Sequence, residues 1–388
     1  MHNNRVHGVW GATGGRSLHR DDSLISRRGR WTVMRGPSQL ERDRDGLTAV
    51  IEFLSAFTLF LMILTAFLSL AQMQMGSNDP HLDRLDRSAV LGLDRLVADE
   101  GWFTPFVDGE ADPTNGTAAW HLEDAEALFE GRVRPGLVSD GRLSLERVAA
   151  LSKVTESGFA AGLGLDVELD VRLRIESLDE NGSVVEVLFD GGTDRRTAES
   201  SSRATRLAVG VDGLVRLSLE VHDGGRAVAP LVLTEVQSRP LNGGPEWFEL
   251  HNPEGFAVEL RGWSFHILTR TGSVDHLMLD GMVSGGGVAI MTGDLASQDL
   301  GDATEAYDLG EEGLLGVGLV DMLPNGEGTL RMNWTDPLTS RPAMMQQVSW
   351  GGDTGHFMTP GESLVLNGSL PSDPTSWRVA TTPTPGEA

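Results

Sequence analysis

Leu47 to Ala71 reads LTAVIEFLSAFTLFLMILTAFLSLA, twenty-five residues with one charge, Glu52. A helix of that length, at about 1.5 Å per residue, spans a hydrocarbon layer of roughly 30 Å with some tilt. Core helices of soluble proteins carry a polar face, and this stretch has none. Arginines flank its N-terminal side only: Arg27, Arg28, Arg30, Arg35, Arg42 and Arg44. The positive-inside rule therefore places the N-terminus in the cytoplasm and everything after Gln72 outside it. The stretch is longer than a signal-peptide core, and Gln72-Met73-Gln74-Met75 is no small-residue cleavage site.

Charge follows the same division. Residues 1–45 hold nine arginines against five acids, net +4, whereas residues 77–229 carry −13 and residues 230–388 carry −15. A chain of net charge −25 disfavours nucleic acid as a partner, because phosphate contact needs a basic face. Cysteine is absent, which excludes disulfides and cysteine-based metal or thiol chemistry. Residues 1–33 have no apolar periodicity and read as disordered, and Met34 is an alternative start.

Downstream, Leu82, Leu85, Ala89, Leu93, Leu96 and Val97 recur at helical spacing and predict a helix over 81–98. Asp108 to Gly116 is turn-rich, with Asp108, Glu110, Asp112 and Asn115 loosely spaced as in a calcium loop. Pro113 stands in the glycine's place and Ala119 in that of the bidentate glutamate, so a solvated acidic loop is expected. Ser144 is a candidate N-cap for a helix over 144–152. Asp166–Ser177 alternates strictly, with Val167, Leu169, Val171, Leu173 and Ile175 on one face. Asp179–Gly182 turns it back into Val184–Phe189, and Ala204–Val211 with Gly213–His222 form a second pair.

From residue 230 onward short alternating strands recur between Gly, Pro, Asn and Asp, with no long helical period. Trp247, Trp263, Trp350 and Trp377 are core anchors for two packed sheets. The stretch 294–327 reads as an acidic surface insertion. Glu235, Glu249 and Asn252 form either a polar ligand site at one end of the sheets or partners for turn and edge backbone groups. His251, His266 and His276 lack a metal-ligand spacing.

Two resemblances rest on these residues. Asp45-Gly46-Leu47 through Glu52-Phe53 resembles the start of type IV pilins and archaeal pilin-like proteins. That implies cleavage between Gly46 and Leu47 and an assembly role for Glu52, although here the glutamate is sixth rather than fifth after the cut. The pattern over 85–222 is similar to the outer domain of the same proteins. The second resemblance runs through 230–388: Glu235 on a first strand, Glu246-Trp247-Phe248-Glu249-Leu250-His251-Asn252-Pro253, Leu260-Arg261-Gly262-Trp263, and Trp377 with Thr384-Pro385-Gly386. This resembles the lamin tail domain and implies an immunoglobulin-like β-sandwich.

The expected fold is α+β and membrane-anchored. A basic cytoplasmic leader (1–45) precedes a transmembrane helix (46–75). A pilin-like extracytoplasmic domain of mixed helices and antiparallel strands (76–228) and a lamin tail domain (229–388) follow. Asn115, Asn181, Asn333 and Asn367 stand in glycosylation sequons on the outer side, each expected in a loop. No catalytic motif or phosphate-cradling loop is present, so no enzyme and no cofactor is expected. The expected role is a surface binding or adhesion protein with membrane lipid as its first partner, and like subunits or another surface protein as its second. The alternatives are a minor pilin subunit of a filament and an accessory subunit of a secreted hydrolase or nuclease.

Overall fold

The computed structural model describes residues 39–76, 80–193, 198–223, 231–309, 323–335, 342–368 and 371–387. The leader reading of residues 1–33 and the alternative start at Met34 lie outside them. The chain divides at Met75/Gly76 into two units, and the described part of the first is one helix, Gln39–Gly76. Within it Leu47–Ala71 is long and apolar enough to cross a membrane, and none of that span is buried. Three of its hydroxyls bond inside the helix: Ser55 Oγ donates to the Ile51 carbonyl at 2.7 Å, Thr58 Oγ1 to that of Leu54 at 2.6 Å and Thr65 Oγ1 to that of Leu61 at 2.9 Å. Those hydroxyls therefore add little desolvation cost in an apolar medium.

The second unit, Gly76–Ala388, is mostly β-strand and has two cores. The first core forms where helix Pro80–Ala98 lies on a four-stranded antiparallel sheet. The sheet order is Val184–Gly192, Leu169–Leu178, Leu214–Asp223, Ser200–Val209. Leu85, Ala89, Leu93 and Leu96 bury the helix stripe that the apolar spacing predicts. They meet Val171, Leu173 and Ile175 from one strand and Leu217, Leu219 and Val221 from its neighbour. Gly92 sits where an added Cβ would come 2.8 Å from Leu219 Cδ2, so a side chain there would displace the tip of that leucine. Val167 departs from expectation and is 87% exposed. A turn closed by Leu169 N donating to the Asp166 carbonyl delays the strand until Leu169. Ser144 caps its helix as expected, its hydroxyl accepting from Arg147 N at 3.4 Å.

Asp108–Gly116 is not an open acidic loop throughout. Asp108 and Gly109 have φ of 53° and 80°, a two-residue hairpin turn between strands Gly101–Val107 and Glu110–Ala111. Asp140-Gly141 repeats the device between Val138–Ser139 and Arg142–Leu143. Asp112 accepts from Thr114 N at 3.0 Å and Asn115 Nδ2 at 2.8 Å, which commits its carboxylate to the turn.

The second core lies between two sheets. One is six-stranded, in the order Glu305–Asp308, Val288–Thr292, Trp247–His251, Val232–Gln237, Ser363–Leu366, Trp377–Ala380. The other is four-stranded, in the order Gly272–Leu277, Trp263–Thr269, Gly328–Thr335, Pro342–Trp350. Phe248 and Phe265, one from each sheet, meet edge to face with ring centroids 4.9 Å apart. All four expected tryptophan anchors are buried. The expected surface insertion at 294–327 is corrected in part. Glu305–Asp308 joins the sheet parallel to Val288–Thr292, Tyr307 Oη donates to the Met282 carbonyl at 2.6 Å, and Leu309 and Leu323 enter the core. Residues 310–322 between them lie outside the described residues.

The two cores are joined. Phe256, from the turn after Trp247–His251, is 2% exposed and belongs to the first core rather than the second. Its ring lies 4.9 Å from that of Phe159 and 5.0 Å from that of Phe189. Backbone bonds flank it: Ala257 N donates to the Val154 carbonyl at 3.0 Å and Gly285 N to the Ser152 carbonyl at 2.7 Å. The expected boundary at 228/229 falls outside the described residues.

Candidate functional site

Glu235 and Glu249 face each other as cross-strand partners on Val232–Gln237 and Trp247–His251, and both are buried. A register shift between Leu233 and Glu235 sets them side by side and leaves Thr234 to turn its hydroxyl onto Glu249 Oε1 at 2.5 Å. The other donors come from the far end of the chain. Thr384 N and Oγ1 donate to Glu235 at 3.2 and 2.9 Å, and Gly386 N donates to Glu249 Oε2 at 2.7 Å. The C-terminal Thr384-Pro385-Gly386 is thus a strap held by two buried carboxylates. It is seated against Gly301–Ala303: a Cβ at Gly301 would fall 1.8 Å from the Pro385 carbonyl oxygen, and one at Gly386 would fall 2.3 Å from Ala303 N. Gly386 also has φ of 86°, a conformation that side chains resist.

Burial drives the Glu249 carboxyl upward, and the Thr234 and Gly386 hydrogen bonds pull the other way. Glu235 and Glu387 add like charge, and the result is pushed up to about 7. Near neutral pH the site therefore holds a proton that an exposed glutamate would have lost. With the strap seated, both carboxylates serve the protein's own backbone.

Asn252 has a different task. Its Nδ2 donates to the carbonyls of Phe256, Val283 and Ser284 at 2.9, 3.0 and 3.1 Å, and its Oδ1 accepts from Glu254 N at 3.0 Å. It shapes the turn that delivers Phe256 to the first core. Asn252→Ala removes the amide donor that those carbonyls share, although Ser284 keeps Gly287 N, and is expected to destabilise the unit by about 1–3 kcal/mol, read from the urea midpoint. A loss under about 0.5 kcal/mol would count against this role.

The histidines do not converge. His266 and His276 lie on paired strands but in adjacent register rows, and His251 is in the other sheet. His266 Nδ1 pairs with Asp275, while burial holds the His276 imidazole below its usual range, with Asp275 opposing. Among the described residues no group of three His, Asp or Glu side chains is placed to hold a metal.

In the apolar helix, Gly46, Leu47 and Glu52 all lie inside the continuous span Gln39–Gly76, and Leu47 and Glu52 are exposed. The Gly46–Leu47 bond is therefore helical, and cutting it requires local unwinding. Asn115, Asn181 and Asn367 are exposed, as a glycan acceptor requires. Asn333 is half-buried inside strand Gly328–Thr335 and opposite Ser264, which corrects the loop expected there.

Sequence reasoning singled out both glutamates without their shared partner. Thr384 and Gly386 were legible only as a closing pattern. No protein-family model matches the chain, and no curated protein matches it.

Proposed function

We propose that the chain is a single-pass membrane protein that presents its β-rich unit, as a non-catalytic binding or adhesion module, outside the cytoplasm. The observation that carries this reading is the Leu47–Ala71 helix, apolar on every face and unburied along its whole length. Such a surface is stable only in lipid or against a partner of equal length. The arginines before Gly46 supply the orientation. The two sheets around one core support an immunoglobulin-like sandwich, which the resemblance of 230–388 to the lamin tail domain implies. The resemblance to archaeal pilin-like proteins fits a surface location.

Protease added to intact cells is expected to digest the region after Gln72 and to spare the residues before Gly46. Protection of residues 230–388 in intact cells, with digestion after lysis, would overturn the orientation.

A second reading, a subunit of a pilin-like filament, is favoured by Glu52. This carboxylate is exposed within an otherwise apolar span. In a filament it would pair with the terminal amine that cleavage after Gly46 leaves on a neighbouring subunit, so that neither charge stays alone in lipid.

A further inference from the structure

Helix Pro80–Ala98 separates its charges by direction. Asp86 accepts from the Ser202 hydroxyl and Asp94 pairs with Arg206, so both turn toward strand Ser200–Val209. Arg84, Arg87 and Arg95, with Ser88 and Leu91, fall on one stripe at helical spacing and line a groove of about 460 Å³. Leu163, Gly164 and Leu165 form its other wall. Arg95 is pre-positioned, since its Nη1 donates to the Leu163 carbonyl where the short helix Glu156–Gly162 ends. Gly164, at φ 67°, leaves room for that guanidinium, which a Cβ would strike.

Among the described residues Asp166 is the carboxylate paired with an arginine of the groove. Asp166 is 3.8 Å from Arg84, and both side chains are largely exposed, so the pair neutralises little. Three arginines lining one groove, in a chain of net charge −25, suit a local anion. Their planar forks suit the oxygens of a phosphate group. Leu91, 48% exposed on the same stripe, offers an apolar contact beside them.

We propose that this groove binds a phosphate group carried by a lipid headgroup. The phosphate chemistry stands on the groove alone. The lipid source rests on the anchored reading above, because only residues 77–79 separate the apolar helix from Pro80 in the sequence.

The test uses the full chain in zwitterionic detergent micelles, where binding does not depend on topology, so it can fail independently of the protease experiment. The probes are short-chain phosphatidic acid and inorganic phosphate, read by hydrogen exchange over 84–95 and 163–165. Phosphatidic acid is expected to protect both segments, and Arg84→Gln with Arg87→Gln to weaken that binding at least tenfold. Arg95 is left intact because it also ends a helix. Equal saturation by inorganic phosphate would overturn the lipid source, and no protection by either probe would overturn the site. Protection that survives the double substitution would also overturn it.

Discussion

Phe256→Ala is expected to lower the stability of Gly76–Ala388 by about 3–5 kcal/mol, the range for emptying a buried aromatic site. The ring is 2% exposed and packs against Phe159 of the Glu156–Gly162 helix and Phe189 of strand Val184–Gly192. Backbone crowding restricts relaxation further. A Cβ on Gly255 would lie 2.4 Å from the Asp190 carbonyl oxygen, so the turn and the strand are already in contact. The substitution should also change cooperativity. Phe256, with the Ala257–Val154 and Gly285–Ser152 bonds beside it, ties the two cores together. Denaturation of the full chain in detergent, followed by far-ultraviolet dichroism and tryptophan fluorescence, should give one transition for the native chain and two for the variant. A loss below about 1 kcal/mol with a single transition would show that the cores are coupled elsewhere.

That coupling marks the limit of what the residues reveal one by one. Periodicity located elements whose cause is local. Strand Leu169–Leu178 lies on the alternation that Asp166–Ser177 displays, and Leu85, Ala89, Leu93 and Leu96 bury the stripe that their spacing draws. The Asp108-Gly109 and Asp140-Gly141 turns were written in the sequence too, since Asp-Gly is a hairpin signal, although the acids around the first read as a solvated loop. Other features depend on distant partners. Glu305–Asp308 is a strand because Val288–Thr292 offers it an edge, not because of its own pattern. Phe256 reads like a core residue of its own region and is buried in the other. Glu235 and Glu249 become neighbours through a bulge at Thr234, and their donors at Thr384 and Gly386 arrive from the chain's far end. No local spacing encodes either fact.

The carboxylate pair leads to the other large effect, a stability that falls as pH rises toward neutrality. Glu249 titrates near 7 in the folded protein and near an ordinary 4.5 once exposed. Between those values the folded state binds the extra proton, so raising the pH favours unfolding. The contribution is fully present below about pH 4.5 and is lost as pH passes through about 7. With about 1.4 kcal/mol per pKa unit, it amounts to roughly 3 kcal/mol. Glu249→Gln keeps an oxygen for Gly386 N and cannot ionise. It is therefore expected to be near-neutral at pH 4.5 and more stable than the native chain at pH 8 by up to about 3 kcal/mol. The groups facing Glu249 are Thr234 on the paired strand, Glu235 across from it, and Gly386 and Glu387 on the strap. Subtracting the two stability profiles cancels titrations elsewhere, such as that of Glu176, which hydrogen bonds from Arg216 and Arg174 lower against its burial. Hydrogen exchange at the Thr384 and Gly386 amides gives the local readout. Their protection should fall between pH 6 and 8 in the native chain, where Glu249 ionises in its buried place beneath the strap, and stay constant in the variant. Parallel profiles for the two proteins across that interval would mean that Glu249 is not protonated beneath the strap and that the clamp does not respond to pH.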